Sequence, residues 1–178
     1  MTEEEINKIF SWLPYRDSWV IDRNQVHDHI ESYYGELINK LTKNSLFATY
    51  YSEAGGLSNY LEFICYPNGQ TTYEGNAILV CISLCAPLAA YGQITLSMGI
   101  NFIGWNGLFE ADKIGDIPDS SLLSIKNEIK SILQQHHLLL LDKDLASKPL
   151  PKEIAEVLHY ENHNEGTQYL QGIFQKTD

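Results

Sequence analysis

Asn59-Tyr60-Leu61-Glu62-Phe63-Ile64-Cys65-Tyr66-Pro67-Asn68-Gly69, followed closely by Ala77-Ile78-Leu79-Val80-Cys81-Ile82-Ser83-Leu84-Cys85-Ala86, is the stretch whose reading decides the fold. The first run is rich in aromatic and β-branched residues, which suit a pleated, half-buried surface, and Asn68-Gly69 is a strong hairpin signal. A two-residue loop there sets Tyr66 opposite Thr71 and Ile64 opposite Tyr73. The second run lacks alternation, as expected of a central strand covered on both faces, although periodicity alone leaves a buried helix open. Pro87 ends or kinks it, and Gln93 to Met98 alternates again, with Ile94, Leu96 and Met98 on one face.

Upstream, Thr2 and Glu5 have capping-box spacing, and Ile6, Ile9, Phe10 and Leu13 recur at helical intervals until Pro14. Pro14 to Asp22 reads as a loop. Asn24 caps a second, longer helix whose stripe is Val26, Ile30, Tyr33, Tyr34, Leu37, Ile38 and Leu41. Leu46 to Tyr51 then changes period to that of a strand, ended by Gly55-Gly56.

Downstream, Gly99 to Pro118 holds Gly99, Gly104, Gly107, Gly115 and Pro118 between bulky apolar residues and reads as one long ordered loop. Asp119 or Ser120 caps a helix with Leu122, Ile125, Ile129, Ile132 and Leu133 inward, and His136-His137 closes it at the negative end of the dipole. Leu138 to Leu141 is expected to be a short buried strand, Pro151 to open a short helix, and Thr167 to Phe174 to form a last strand. No repeat or linker divides residues 1–178, so we expect a single α+β domain. Its mainly antiparallel sheet is flanked by N-terminal helices and one longer helix in the C-terminal half.

The 178 residues carry 12 Lys and Arg against 23 Asp and Glu, a formal charge of -11. Nucleic-acid binding runs on cations that neutralise phosphates, so this balance disfavours it and favours basic partners. Three cysteines, Cys65, Cys81 and Cys85, lie in apolar strand-like segments, which argues for buried hydrophobes in a reducing compartment. The acidic start Met1-Thr2-Glu3-Glu4-Glu5 lacks the pattern of a secretory signal, and the run from Ala77 to Tyr91 is too short and interrupted to span a bilayer. A cytoplasmic protein with no membrane span is expected.

Contiguous catalytic signatures are absent: no phosphate-binding Gly loop, no GxGxxG, GxSxG, HExxH or CxxC. His159 and His163 have helical ligand spacing but no third partner, and Cys65, Cys81 and Cys85 read as core residues rather than thiolate ligands. We therefore expect no metal and no cofactor. The stretch with Trp105, Glu110, Asp112, Asp116 and Asp119 combines an aromatic anchor with closely spaced acids, a pattern suited to a partner surface. The bland alternative is a solvated loop with Trp105 tucked into the core.

The run Leu79-Val80-Cys81-Ile82-Ser83-Leu84-Cys85-Ala86-Pro87, the loop Gly104-Trp105-Asn106-Gly107, the ending Tyr169-Leu170-Gln171-Gly172-Ile173-Phe174 and the acidic balance together resemble the small cytoplasmic immunity proteins of bacterial polymorphic toxin systems. The resemblance is to general organisation. It implies a non-catalytic protein that binds a basic toxin domain and occludes its active site. Two alternatives stand beside it: a small enzyme or metabolite-binding domain with a pocket on the apolar sheet, using His136 or His159, and a subunit whose edge strand pairs with a copy of itself.

Overall fold

The computed structural model describes residues 23–52, 60–69, 74–84, 87–99, 102–106, 110–149, 168–170 and 174. An α-helix, α1 (Arg23–Thr42), leads into five antiparallel strands: β1 (Phe47–Ser52), β2 (Tyr60–Pro67), β3 (Glu74–Ser83), β4 (Leu88–Gly99) and β5 (Phe102–Asn106). They lie in sequence order across one sheet. After β5 come a 3-10 turn at Ala111–Lys113, a second at Ser120–Leu122, then α2 (Leu123–Gln135), β6 (Leu139–Leu140) and α3 (Lys143–Ala146). The fold is α+β. The expected helix at residues 2–13, the loop at 14–22 and the short helix after Pro151 lie outside the described residues.

β3 is central and buried on both faces, which is why its sequence shows no alternation. Ile78, Val80 and Ile82 enter one core with Phe63, Cys65, Leu37, Leu41, Ile129 and Leu133. Ala77, Leu79 and Cys81 enter the other with Tyr60, Ile64, Ile94 and Leu96, where Phe174 meets Tyr60 edge to face at 5.9 Å. Cys65 and Cys81 therefore point to opposite faces of the sheet, so these two thiols do not share a site.

Two helices cover the first face. In α2 the apolar residues Ile125, Ile129, Ile132 and Leu133 fall on one stripe and all are buried. The helix ends as expected at the two histidines. His137 takes a left-handed φ of 57°, its N–H donates to Gln134 O at 3.0 Å, and Leu138 N–H donates to Leu133 O at 3.1 Å. This is the Schellman arrangement, with histidine where glycine is usual. In α1, Leu37 and Leu41 are buried, but Tyr33 is 70% exposed and does not belong to the expected stripe. Tyr34 Oη donates to Ser83 O at 3.1 Å, and Thr49 Oγ1 donates to Leu41 O at 2.8 Å, so α1 crosses the sheet from β1 to the far end of β3.

Four expectations are corrected. Ile64 pairs with Leu79 and Cys65 with Ile78, so the β2–β3 connection is longer than a two-residue turn, although Gly69 does take a φ of 79°. The shift from Tyr73 to Leu79 is an even number of residues, so each side chain keeps its expected face. Gly99 to Pro118 is not one loop, because Phe102–Asn106 pairs with β4 as β5. β4 also begins earlier than the alternating run, at Leu88. Of the closing segment, Tyr169 and Leu170 are helical where a strand was expected, and Phe174 N–H donates back to Leu170 O at 3.0 Å.

Candidate functional site

The outer edge of β4 is covered in three pieces. β6 pairs in parallel with Leu88 and Ala89, β5 pairs antiparallel from Thr95 to Gly99, and the acidic segment 110–119 fills the gap between them. There Gly115 N–H donates to Tyr91 O at 2.7 Å and Gln93 N–H donates to Asp116 O at 3.2 Å. Gly115 turns the chain with a φ of 74°, a region that favours glycine.

The spacing of this segment explains what it shows to solvent. Ala111, Ile114 and Ile117 recur every third residue and are buried, which leaves Glu110, Asp112 and Asp116 exposed. Lys113 pairs with Glu110 at 2.5 Å, and that carboxylate raises the Lys113 ammonium above the usual lysine range. The first 3-10 turn rests on α3, with Ala111, Leu145 and Ala146 buried. Asp142 caps α3 by accepting from Leu145 N–H at 2.8 Å, and Asp144 is exposed beside it. Residues 110–116 and 142–146 thus hold five acids, Glu110, Asp112, Asp116, Asp142 and Asp144, against Lys113 and Lys143. Sequence spacing did not reveal Asp142 and Asp144, because the packing of the 3-10 turn on α3 joins segments about 30 residues apart.

Asp119 sits differently from the other acids. Its Oδ2 accepts from Asn76 Nδ2 at 2.7 Å, its Oδ1 accepts from Ser121 N at 2.9 Å and from Ser121 Oγ at 2.7 Å, and its own N–H donates to Gln93 Oε1 at 2.8 Å. These hydrogen bonds, Asn76 first, hold its carboxyl below the usual range. It caps the turn that starts α2 and ties that turn to β3 and β4. Trp105 lies in β5 opposite Leu96, and Asp116 lies opposite Gln93 on the same edge of β4. Three residues along a strand separate those positions by roughly 10 Å. The backbone therefore brings Trp105 and the exposed acids to one border of the sheet.

A pocket on the apolar sheet needs walls that keep accessible surface. Ala77 through Ile82 keep at most 2% each, on both faces of β3. Glu62 and Ser83 are the buried polar side chains among the described residues, and Glu62 stands opposite Cys81. Burial pushes the Cys81 thiol well above its ordinary value, with the Glu62 charge adding to it, so this sulfur stays protonated and is a poor nucleophile. Burial likewise pushes Cys65 up to about 12.

At the α1–α2 junction, His136 Nε2 is buried without a hydrogen-bond partner among the described residues. Burial and then Lys40 hold its imidazole below the ordinary range, while Glu36 acts the other way. Lys40 is paired to Glu36 at 3.0 Å. The candidates His159 and His163 lie outside the described residues, and no group of three His, Cys, Asp or Glu among the described residues is placed to hold a metal. No described helix is long and apolar enough to cross a membrane.

Comparison with protein-family models, with curated proteins and with solved structures gives no match.

Proposed function

We propose that this chain is a non-catalytic binding protein whose partner is a basic protein domain, docked on the border formed by Glu110, Asp112, Asp116 and Asp144, with Trp105 alongside. The observation that carries this reading is the clamp on the acidic segment. Two backbone hydrogen bonds to β4 and three buried side chains hold in place the backbone that carries Glu110, Asp112 and Asp116 before any partner arrives. A backbone fixed in advance spares part of the ordering entropy of docking, and a surface of one sign accelerates encounter with the opposite sign. The filled faces of β3 and the protonated Cys81 favour binding over catalysis on the sheet. Within this reading, the resemblance to cytoplasmic immunity proteins supplies the finer proposal: the partner is a toxin domain, neutralised by occlusion.

The test is affinity capture with tagged full-length chain from lysate of its source cells, at low and high salt. The expected result is one basic protein, retained at low salt and reduced at high salt, whose toxic activity falls on stoichiometric addition of the chain. Capture of a partner whose retention ignores salt would remove the acidic border from the interface.

A further inference from the structure

We propose that Asn68-Gly69 is a site of spontaneous deamidation, and that its product undoes the tie between the β2–β3 connection and the turn joining α1 to β1. The two residues directly follow β2, and both are exposed. Gly69 takes a φ of 79°, and a Cβ built on it would meet nothing within 4 Å, so no neighbour crowds this side of the turn. The Asn68 side chain reaches across to the α1–β1 turn, where its Nδ2 donates to Ser45 O at 2.7 Å.

The reaction needs these two residues and water. The Gly69 backbone nitrogen gives up its proton and attacks Asn68 Cγ, forming the N–Cγ bond of a five-membered succinimide. The Cγ–Nδ2 bond breaks, and the side-chain nitrogen leaves as ammonia with the proton that Gly69 lost. Water then opens the ring. Addition at Cγ gives an aspartyl residue at position 68, and addition at the backbone carbonyl gives an isoaspartyl link. Nothing is oxidised or reduced. A following glycine favours the first step, because it has no Cβ to shield the attacking nitrogen and the freest backbone.

The bond to Ser45 must be released first. A single exposed hydrogen bond adds little net stability over the same amide bonded to water, so the side chain leaves Ser45 in an appreciable fraction of molecules. Other described asparagines are more restrained. Asn76 lies in β3 and donates to Asp119, while Asn39 and Asn127 lie inside α1 and α2. Asn44 is held twice, accepting from Leu46 N–H and donating to Glu128. The second Asn-Gly pair, Asn106-Gly107, has its asparagine in β5, where pairing with Thr95 keeps the backbone extended.

Either product sets a carboxylate against the Ser45 carbonyl, so an attraction becomes a repulsion. The isoaspartyl form also adds a methylene to the backbone of the turn. Because β2 and β3 stand between β1 and the acidic border on β4, the reading of that border does not depend on this reaction.

The experiment is incubation of the full native chain at neutral and mildly alkaline pH, beside the same chain unfolded in guanidinium chloride, with peptide mapping by mass spectrometry and assay of released ammonia. The expected result is conversion of Asn68 ahead of every other asparagine, to a mixture of aspartyl and isoaspartyl forms. It runs faster at the higher pH, because the attacking nitrogen must lose its proton. Asn68→Gln keeps an amide but has to close a six-membered ring, and is expected to leave that peptide unchanged. Asn68→Asp, which builds the aspartyl product directly, is expected to lower Tm by about 2–4 °C. A native Asn68 that stays intact while the unfolded chain converts there would overturn the proposal, and so would conversion of Asn106 ahead of it. An Asn68→Asp variant with the wild-type Tm would overturn the assigned consequence.

Discussion

Phe63→Ala measures how much of the fold's stability resides where α1 and α2 cover the sheet. Phe63 is 0% exposed at the middle of β2, and its ring stacks on Tyr51 across β1 at a centroid distance of 4.7 Å and an interplanar angle of 19°. Truncating a buried phenylalanine costs about 3–5 kcal/mol in lost transfer energy and cavity formation. Of that, roughly 1 kcal/mol belongs to the aromatic pair. Against a typical total of about 5–15 kcal/mol, the variant gives up roughly a fifth or more of its margin. For a domain of this size each kcal/mol moves Tm by about 2–4 °C, so a loss near 4 kcal/mol lowers it by roughly 8–16 °C. Urea and thermal unfolding followed by circular dichroism measure both quantities. A cycle with Tyr51→Leu and Phe63→Leu isolates the ring pair and is expected to return about 0.5–1.5 kcal/mol of coupling. A Phe63→Ala loss below about 1 kcal/mol would refute the tightly packed helical face, since core truncations of this kind do not cost so little.

Three further outcomes follow from particular side chains. Asp119→Ala is expected to lower Tm by removing a helix-turn cap and the partner of Asn76, while Asp119→Asn, which still caps, restores most of it; equal loss in both variants would show that the charge and not the cap matters. His136 is held below its ordinary value of about 6.5, so the folded state binds fewer protons than the unfolded chain. Its contribution to stability is complete above that value and is lost as pH falls through the depressed folded one. Urea midpoints from neutral to mildly acidic pH are expected to decline less steeply in His136→Gln, and parallel profiles would contradict the assignment. Cys65 and Cys81 are expected to resist alkylation at neutral pH in the native protein and to react on unfolding, as read by mass spectrometry; rapid native labelling of either would contradict their burial.

The sheet was legible where the sequence obeyed a period. Alternation marked Leu46 to Tyr51 and Gln93 to Met98, the apolar run marked the doubly covered β3, and 3.6-residue spacing marked α2 with its buried residues. The failures have physical causes. β2–β3 register depends on the true length of the connection, which Asn68-Gly69 does not set by itself. β5 was hidden because Phe102-Ile103-Gly104-Trp105-Asn106 carries a glycine and lies between glycines, so turn signals outweighed its aromatic and β-branched residues. Tyr169 and Leu170 look like strand residues by propensity but are helical.

The candidate site was legible as composition and not as arrangement. Glu110, Asp112 and Asp116 are exposed as expected of a steering surface, but Asp119, read with them, is occupied by three hydrogen bonds to its carboxylate. Asp142 and Asp144 join the surface through packing that no local pattern announces.

The most direct measurement is the association rate between the chain and its captured basic partner as ionic strength is raised, for wild type and for Glu110→Lys/Asp112→Lys/Asp116→Lys. These side chains are exposed, so the triple variant is expected to keep its fold. If the acidic border steers docking, wild type associates fast at low salt and slows steeply with added salt, and the triple variant is about tenfold or more slower with a flattened dependence. Equal rates and equal salt slopes for the two proteins would contradict the proposed interface.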